Sequence, residues 1–212
     1  MKNLSLILLA AAMVACCPKP KTTVACIGDS ITEGFGIKNQ NVNGYPEQLR
    51  AMLGPDYCLQ NCGRSATTMM TDGDFPYWTC NEFSNALALN ADIVVIKLGT
   101  NDTKRYQWNA ESYARSYRQM IDTLRSGGRN PRILLCTPVP VRGEKWTIND
   151  STVVAGVIPI VRSLADEYGF EVIDLYQVLD GRRELLSDSV HPNAEGASLM
   201  ARAVADAITH KQ

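Results

Sequence analysis

The chain has 212 residues, 45% of them hydrophobic, and a formal net charge of -1, which fits one globular domain with room for a full core. It carries no sustained basic run, so nucleic acid and an anionic membrane surface are not expected as main partners; a small or neutral molecule is. With only His191 and His210 and no C-x-x-C spacing, neither a metal site nor a cofactor is expected.

Residues 1–21 read as a leader and tether rather than as part of the fold. Lys2 gives a positive start, Leu4 to Val14 a short apolar run, and Met13-Val14-Ala15-Cys16 resembles a lipoprotein signal in which Cys16 is lipidated. The run is too short to span a bilayer. Pro18-Lys19-Pro20-Lys21 follows as a stiff polar tether. The expectation is an exported protein, held by a lipid anchor at a bacterial membrane, with its domain at 22–212.

The first element of that domain is a β-branched, apolar strand from Thr23 that ends at Gly28 and turns into a helix near Ile31. Tyr45 to Leu53 has a helical pattern stopped by Gly54-Pro55, and Tyr57 to Asn61 reads as a second strand ending at Cys62-Gly63. Arg64 to Asn90 is long and mixed, with a helix expected at Asn81 to Leu89; loops of that length are often functional. Asp92 to Leu98 is apolar enough for a strand buried on both faces, the mark of a parallel sheet. It runs into Gly99-Thr100-Asn101-Asp102.

Ala110 to Arg125 spaces its apolar residues as an amphipathic helix closed by Gly127-Gly128. Arg132 to Thr137 is a fourth strand, Ser151 to Tyr168 a helix despite Pro159, and Phe170 to Asp174 a fifth strand. Ala194 to Thr209 closes the chain as a helix capped by Asn193. Alternating strands and helices imply right-handed crossovers and a five-stranded parallel sheet in a three-layer α/β/α, flavodoxin-like domain. Ligands of such sheets bind beyond the carboxyl ends of the strands. That edge collects the loops at Ser30, Gly63, Asn101, Trp146 and Asp188 to His191.

Those loops carry a coherent chemistry. Ser30, at the mouth of a helix, has unpaired N–H groups beside it, its own included, that favour charge developing on a carbonyl oxygen. A serine hydroxyl needs a base, and His191 can take its proton and pass it on to a leaving alcohol. Asp188, three residues earlier, can orient that imidazole; Asp174, at the end of the fifth strand, is the other acid in reach, and the spacing favours Asp188. The N–H of Gly63 and the side-chain amide of Asn101 would complete an oxyanion site with the N–H of Ser30. Cys26 and Cys136 read as buried hydrophobes, whereas Cys58, Cys62 and Cys80 are disulfide candidates whose pairing stays open.

Four blocks in order resemble the SGNH or GDSL-type esterases and acylhydrolases. They are Gly28-Asp29-Ser30-Ile31, with isoleucine where leucine is usual, Gly63 within Asn61-Cys62-Gly63-Arg64-Ser65, Gly99-Thr100-Asn101-Asp102, and Asp188-Ser189-Val190-His191-Pro192. The resemblance runs from about Val24 to the last helix. It implies the SGNH hydrolase fold, with Ser30 as nucleophile, His191 as base, Asp188 as its acid, and Ser30, Gly63 and Asn101 as oxyanion donors. The G-x-S-x-G elbow of α/β-hydrolases is not matched, because Thr32 stands at its last glycine.

Trp78, Trp108 and Trp146, with Tyr77 and Tyr106, fall in loops expected on the active edge, where flat rings can stack on sugars. An exported member of this resemblance is expected to hydrolyse small esters, acetyl above all, on carbohydrate. A lipid-directed acylhydrolase or thioesterase is the alternative within the enzyme class, and a non-catalytic carbohydrate-binding lipoprotein the alternative outside it.

Overall fold

Alternate residues of a strand face opposite sides of its sheet, and that period builds two separate cores in this protein. The computed structural model describes residues 21–210, so Cys16, Cys17 and nearly all of the expected leader lie outside the described residues. The order is β1 (Thr22–Gly28), α1 (Ser30–Glu33), α2 (Gln40–Asn43), α3 (Tyr45–Leu53), β2 (Tyr57–Gly63), α4 (Asn81–Leu89) and β3 (Ile93–Lys97). There follow α5 (Ala110–Leu124), β4 (Arg132–Cys136), α6 (Asp150–Thr152), α7 (Ile158–Tyr168), β5 (Glu171–Ile173), α8 (Leu175–Leu179) and α9 (Ala194–Thr209).

The strands lie in the order β2-β1-β3-β4-β5, and every neighbouring pair is parallel. On one face Ala25, Ile27, Val94, Ile96, Ile133 and Leu135 pack with residues of α4, α5 and α7. On the other, Val24, Cys26, Val95, Leu134 and Ile173 pack with residues of α3, α8 and α9. This is the doubly wound, three-layer α/β/α arrangement. Its strand order reverses between β1 and β3, so the loops leaving those two strands diverge and open a crevice at the carboxyl edge. Ser30 follows β1 and Asn101 follows β3, which places both at that crevice.

Three elements differ from the sequence reading, one of them α2, four residues in a stretch read as loop. The helix expected over Ser151 to Tyr168 is broken into α6, a π-helical stretch at Val153–Val157, and α7. Pro159 has no N–H to give to the preceding turn, and the widened stretch just before it absorbs that missing bond. The helix α8 has no counterpart in the reading, being only five residues long. Asp174 caps it by accepting from the Gln177 N–H at 3.1 Å, and also takes a hydrogen bond from Arg162 at 2.6 Å. That spends Asp174 on the scaffold.

Cys26, Cys58, Cys62, Cys80 and Cys136 are all free thiols in the structure. Burial pushes the Cys136 thiol up to about 12, so it packs as a neutral apolar group.

Candidate active site

The strand β1 delivers the chain to a tight entry into α1. Asp29 caps that helix, accepting from the Ile31 N–H at 3.0 Å, and its buried carboxylate also takes two hydrogen bonds from Lys97 Nζ, at 3.1 and 2.9 Å. Lys97 reaches Thr100 Oγ1 as well, at 2.7 Å, so the ion pair ties the end of β3 to the turn that carries Ser30. With Asp29 fixed, Ser30 is fixed too.

At the other end of the chain, Asp188 turns the backbone ahead of α9. Its Oδ1 accepts from the N–H groups of Val190 and His191, at 2.7 and 2.8 Å. Its Oδ2 faces His191 Nδ1 at 3.0 Å, and His191 Nε2 lies 2.9 Å from Ser30 Oγ. A carboxylate against Nδ1 puts the ring proton there and leaves Nε2 with a lone pair for the serine hydroxyl. Partial burial alone would raise the Asp188 carboxyl; hydrogen bonds from Lys145, His191 and the backbone outweigh it and hold it well below the usual carboxylate range. A fixed negative charge therefore stands behind the imidazole.

The Ser30 and His191 side chains open into a cavity of about 550 Å³, lined also by Phe35, Ala66, Asn101, Tyr106, Trp146 and Val190. Asn101 presents its amide there while donating one hydrogen from Nδ2 to Thr67 O at 3.0 Å. Asp102, buried, accepts from the N–H groups of Met69 and Met70 at 3.0 and 2.8 Å. Burial pushes its carboxyl up to about 7 even against those donors. Two adjacent residues of one loop thus hold the segment that follows Ala66.

The structure does not bring Gly63 to this cavity. Its N–H donates to Asn61 Oδ1 at 2.9 Å. A Cβ at Gly63 would lie 2.2 Å from Glu33 N and 2.6 Å from Thr32 C, so the glycine serves the close approach of β2 to α1. The residue that reaches the cavity from this loop is Ala66, held at φ 67, a left-handed conformation uncommon outside glycine. No acceptor among the described residues takes the Ala66 N–H. Sequence offered no signal for it, because an alanine does not announce a left-handed turn.

The tryptophans divide. Trp146 lines the cavity, half exposed, with its ring edge-on to His191 at 5.7 Å between centroids. Tyr106 joins it there. Trp78 instead donates from Nε1 to Met69 O at 2.9 Å and packs against Phe83. Trp108 packs on Tyr113 and fits over Gly156, where a Cβ would lie 2.6 Å from its ring. Tyr77 is buried, donating to Cys62 O at 2.6 Å. These three rings pin loops to the core and do not line the cavity, which corrects the expectation for Trp78 and Trp108. Phe35, 5.0 Å from the His191 ring between centroids, completes the aromatic wall and was not singled out in the sequence.

A parallel α/β sandwich with a serine, a histidine and an aspartate in one hydrogen-bonded row at its carboxyl edge has the geometry of the serine hydrolases. Residues 26–199 match the GDSL-like lipase/acylhydrolase family, and the chain belongs to it. It is 42% identical over 214 residues to an acetylxylan esterase of Xylanibacter ruminicola, an alignment that takes in 90% of this chain and 44% of that protein. A multidomain esterase of Ruminococcus flavefaciens is 25% identical over 115 residues, 52% of this chain and 15% of the relative. The chain thus spans less than half the length of these curated relatives. Among solved structures, Est24, a carbohydrate acetylesterase from Sinorhizobium meliloti, superposes with a TM-score of 0.72 at 23% identity, over 89% of this chain and 98% of that one. The acetyl xylan esterase AlAXEase gives a TM-score of 0.70 at 24% identity, over 88% and 99%. At those identities the two structures share this chain's fold.

Proposed function

We propose that this protein is a serine esterase that removes small acyl groups, acetyl above all, from carbohydrate through an acyl-enzyme. The observation that carries the reading is the row of contacts from Ser30 Oγ through both nitrogens of His191 to Asp188 Oδ2, at 2.9 and 3.0 Å, beside a cavity. Ser30 Oγ attacks the ester carbonyl as its proton passes to Nε2, and Asp188 stabilises the imidazolium that results. The N–H groups of Ser30 and Ala66 and the Asn101 amide serve the oxyanion. The imidazolium then protonates the leaving alcohol, and a water activated by the same nitrogen frees the acid.

The acetylxylan esterase relative supports carbohydrate as the alcohol half, and Trp146 and Tyr106 at the cavity mouth supply rings on which a sugar can stack. Residues 1–21 support export and a lipid anchor at Cys16, which would hold the domain beside a membrane. The apolar side chains of Phe35, Ile148 and Val190 around the cavity favour one second reading, a lipid-directed acylhydrolase. A series of esters from acetyl to octanoyl, together with acetate release from acetylated polysaccharides, separates the two. The expected result is acetate release from polysaccharide and a rate that falls as the acyl chain lengthens. A steady gain in rate toward octanoyl would establish the lipid reading instead.

A further inference from the structure

Lys145 is a charged group beside the triad that takes no part in the proton transfers of the ester hydrolysis. Its Nζ lies 2.8 Å from Asp188 Oδ2, the same oxygen that faces His191 Nδ1 at 3.0 Å. The ammonium also sits 4.2 Å from the centroid of the Trp146 ring, which in turn stands edge-on to the imidazole. The backbone here is a tight turn: Ile148 N–H donates to Lys145 O at 3.0 Å, and Trp146 and Thr147 are both left-handed, at φ 55 and 61. A β-branched residue in that region is a strained one, of the kind that persists only where surrounding contacts over-determine it. The lysine supplies two such contacts.

We propose that Lys145 is a positioning residue for the esterase reaction, its ammonium holding the Asp188 carboxylate and the Trp146 ring together so that one turn sets both the acid and the wall beside His191. The inference rests on the catalytic reading of Ser30, His191 and Asp188. It also has an electrostatic consequence. An ammonium on the shared oxygen already balances the carboxylate, so the imidazole gains less from that carboxylate when it takes up a proton.

The other charged groups around the site are engaged elsewhere. Lys104, at the cavity wall, donates to Asp74 at 2.6 Å, and Arg142 to Asp180 at 2.6 Å. Arg105 pairs with Glu144 at 3.2 Å, Glu33 takes the hydroxyl of Ser65, and Lys97 is paired with Asp29 in the core. Among the described residues that leaves Asp188 and Lys145 as the charges in contact with the imidazole or its acid.

The test is the pH dependence of kcat/KM on p-nitrophenyl acetate for the wild type, Lys145→Met, Lys145→Arg and Trp146→Ala. In Lys145→Met the acid limb should move to higher pH by about half to one unit, a shift reduced from the full Coulomb value because the lysine is partly exposed. Lys145→Arg should restore the wild-type limb, and Trp146→Ala should leave the limb in place while raising KM for an acetylated oligosaccharide. The pH dependence of fluorophosphonate labelling reads the same limb should turnover of Lys145→Met be too slow to follow. A limb that stays at its wild-type position in Lys145→Met overturns the proposal. A wild type that hydrolyses no ester refutes the esterase reading itself, so the two failures are distinct.

Discussion

Ser30→Ala should lower the turnover of a chromogenic acetyl ester by on the order of 10⁴-fold or more while leaving the melting temperature nearly unchanged. The size follows from what the hydroxyl does: without it no acyl-enzyme forms, and what remains is water attack helped by the oxyanion donors and by binding. The small effect on folding follows from the contacts. Among the described residues the Ser30 hydroxyl bonds only to His191 Nε2, at the wall of an open cavity, so its removal frees a nitrogen that water can reach. Equal turnover by variant and wild type would remove Ser30 from the reaction. A large drop in melting temperature would mean that lost activity reports lost structure.

Lys97→Met should give the largest loss of stability. Lys97 and Asp29 both have side chains that are 0% exposed, and the ammonium is held by both carboxylate oxygens and by Thr100. Burial lowers the lysine's affinity for its proton, against the opposing pull of Asp29. Taking away one partner strands the other as an uncompensated buried charge, which costs about 3–5 kcal/mol. For a domain of this size that corresponds to a melting temperature lower by on the order of 10 °C. Pairing Lys97→Met with Asp29→Asn should recover part of the loss, because asparagine keeps the helix cap and carries no charge. Thermal melts of the two single variants and the double variant check this. Simple additivity of the two losses would contradict the ion-pair account.

The strands were legible because their apolar, β-branched runs end at glycines and prolines, and a parallel sheet buried on both faces needs just such runs. β2 and α9 lie within two residues of the boundaries read from the sequence, and the parallel, three-layer arrangement followed from alternation, whereas the strand order was not read. Side-chain partners were legible only where spacing is short. Asp188 and His191, three residues apart, were read together; in the structure Asp188 Oδ2 faces His191 Nδ1, while Asp174 caps α8. Contacts set by folding rather than by spacing were not legible. Gly63 looked like the residue for the second loop because glycine is the usual mark of close approach, yet what approaches it is the backbone of α1. Ala66 carries the left-handed turn with no compositional sign. Lys97 was hidden in an apolar strand, and its reach to Asp29 spans 68 positions. Trp78 and Trp108 show that an aromatic ring in a loop does as well at fastening that loop to the core.

Covalent labelling with a fluorophosphonate followed by peptide mass mapping decides whether His191 activates the Ser30 hydroxyl across the carboxyl edge of the sheet. One adduct per chain is expected, on Ser30, forming at a rate that collapses in His191→Ala. An adduct on any other residue, or one that forms on Ser30 equally fast without His191, would contradict that activation.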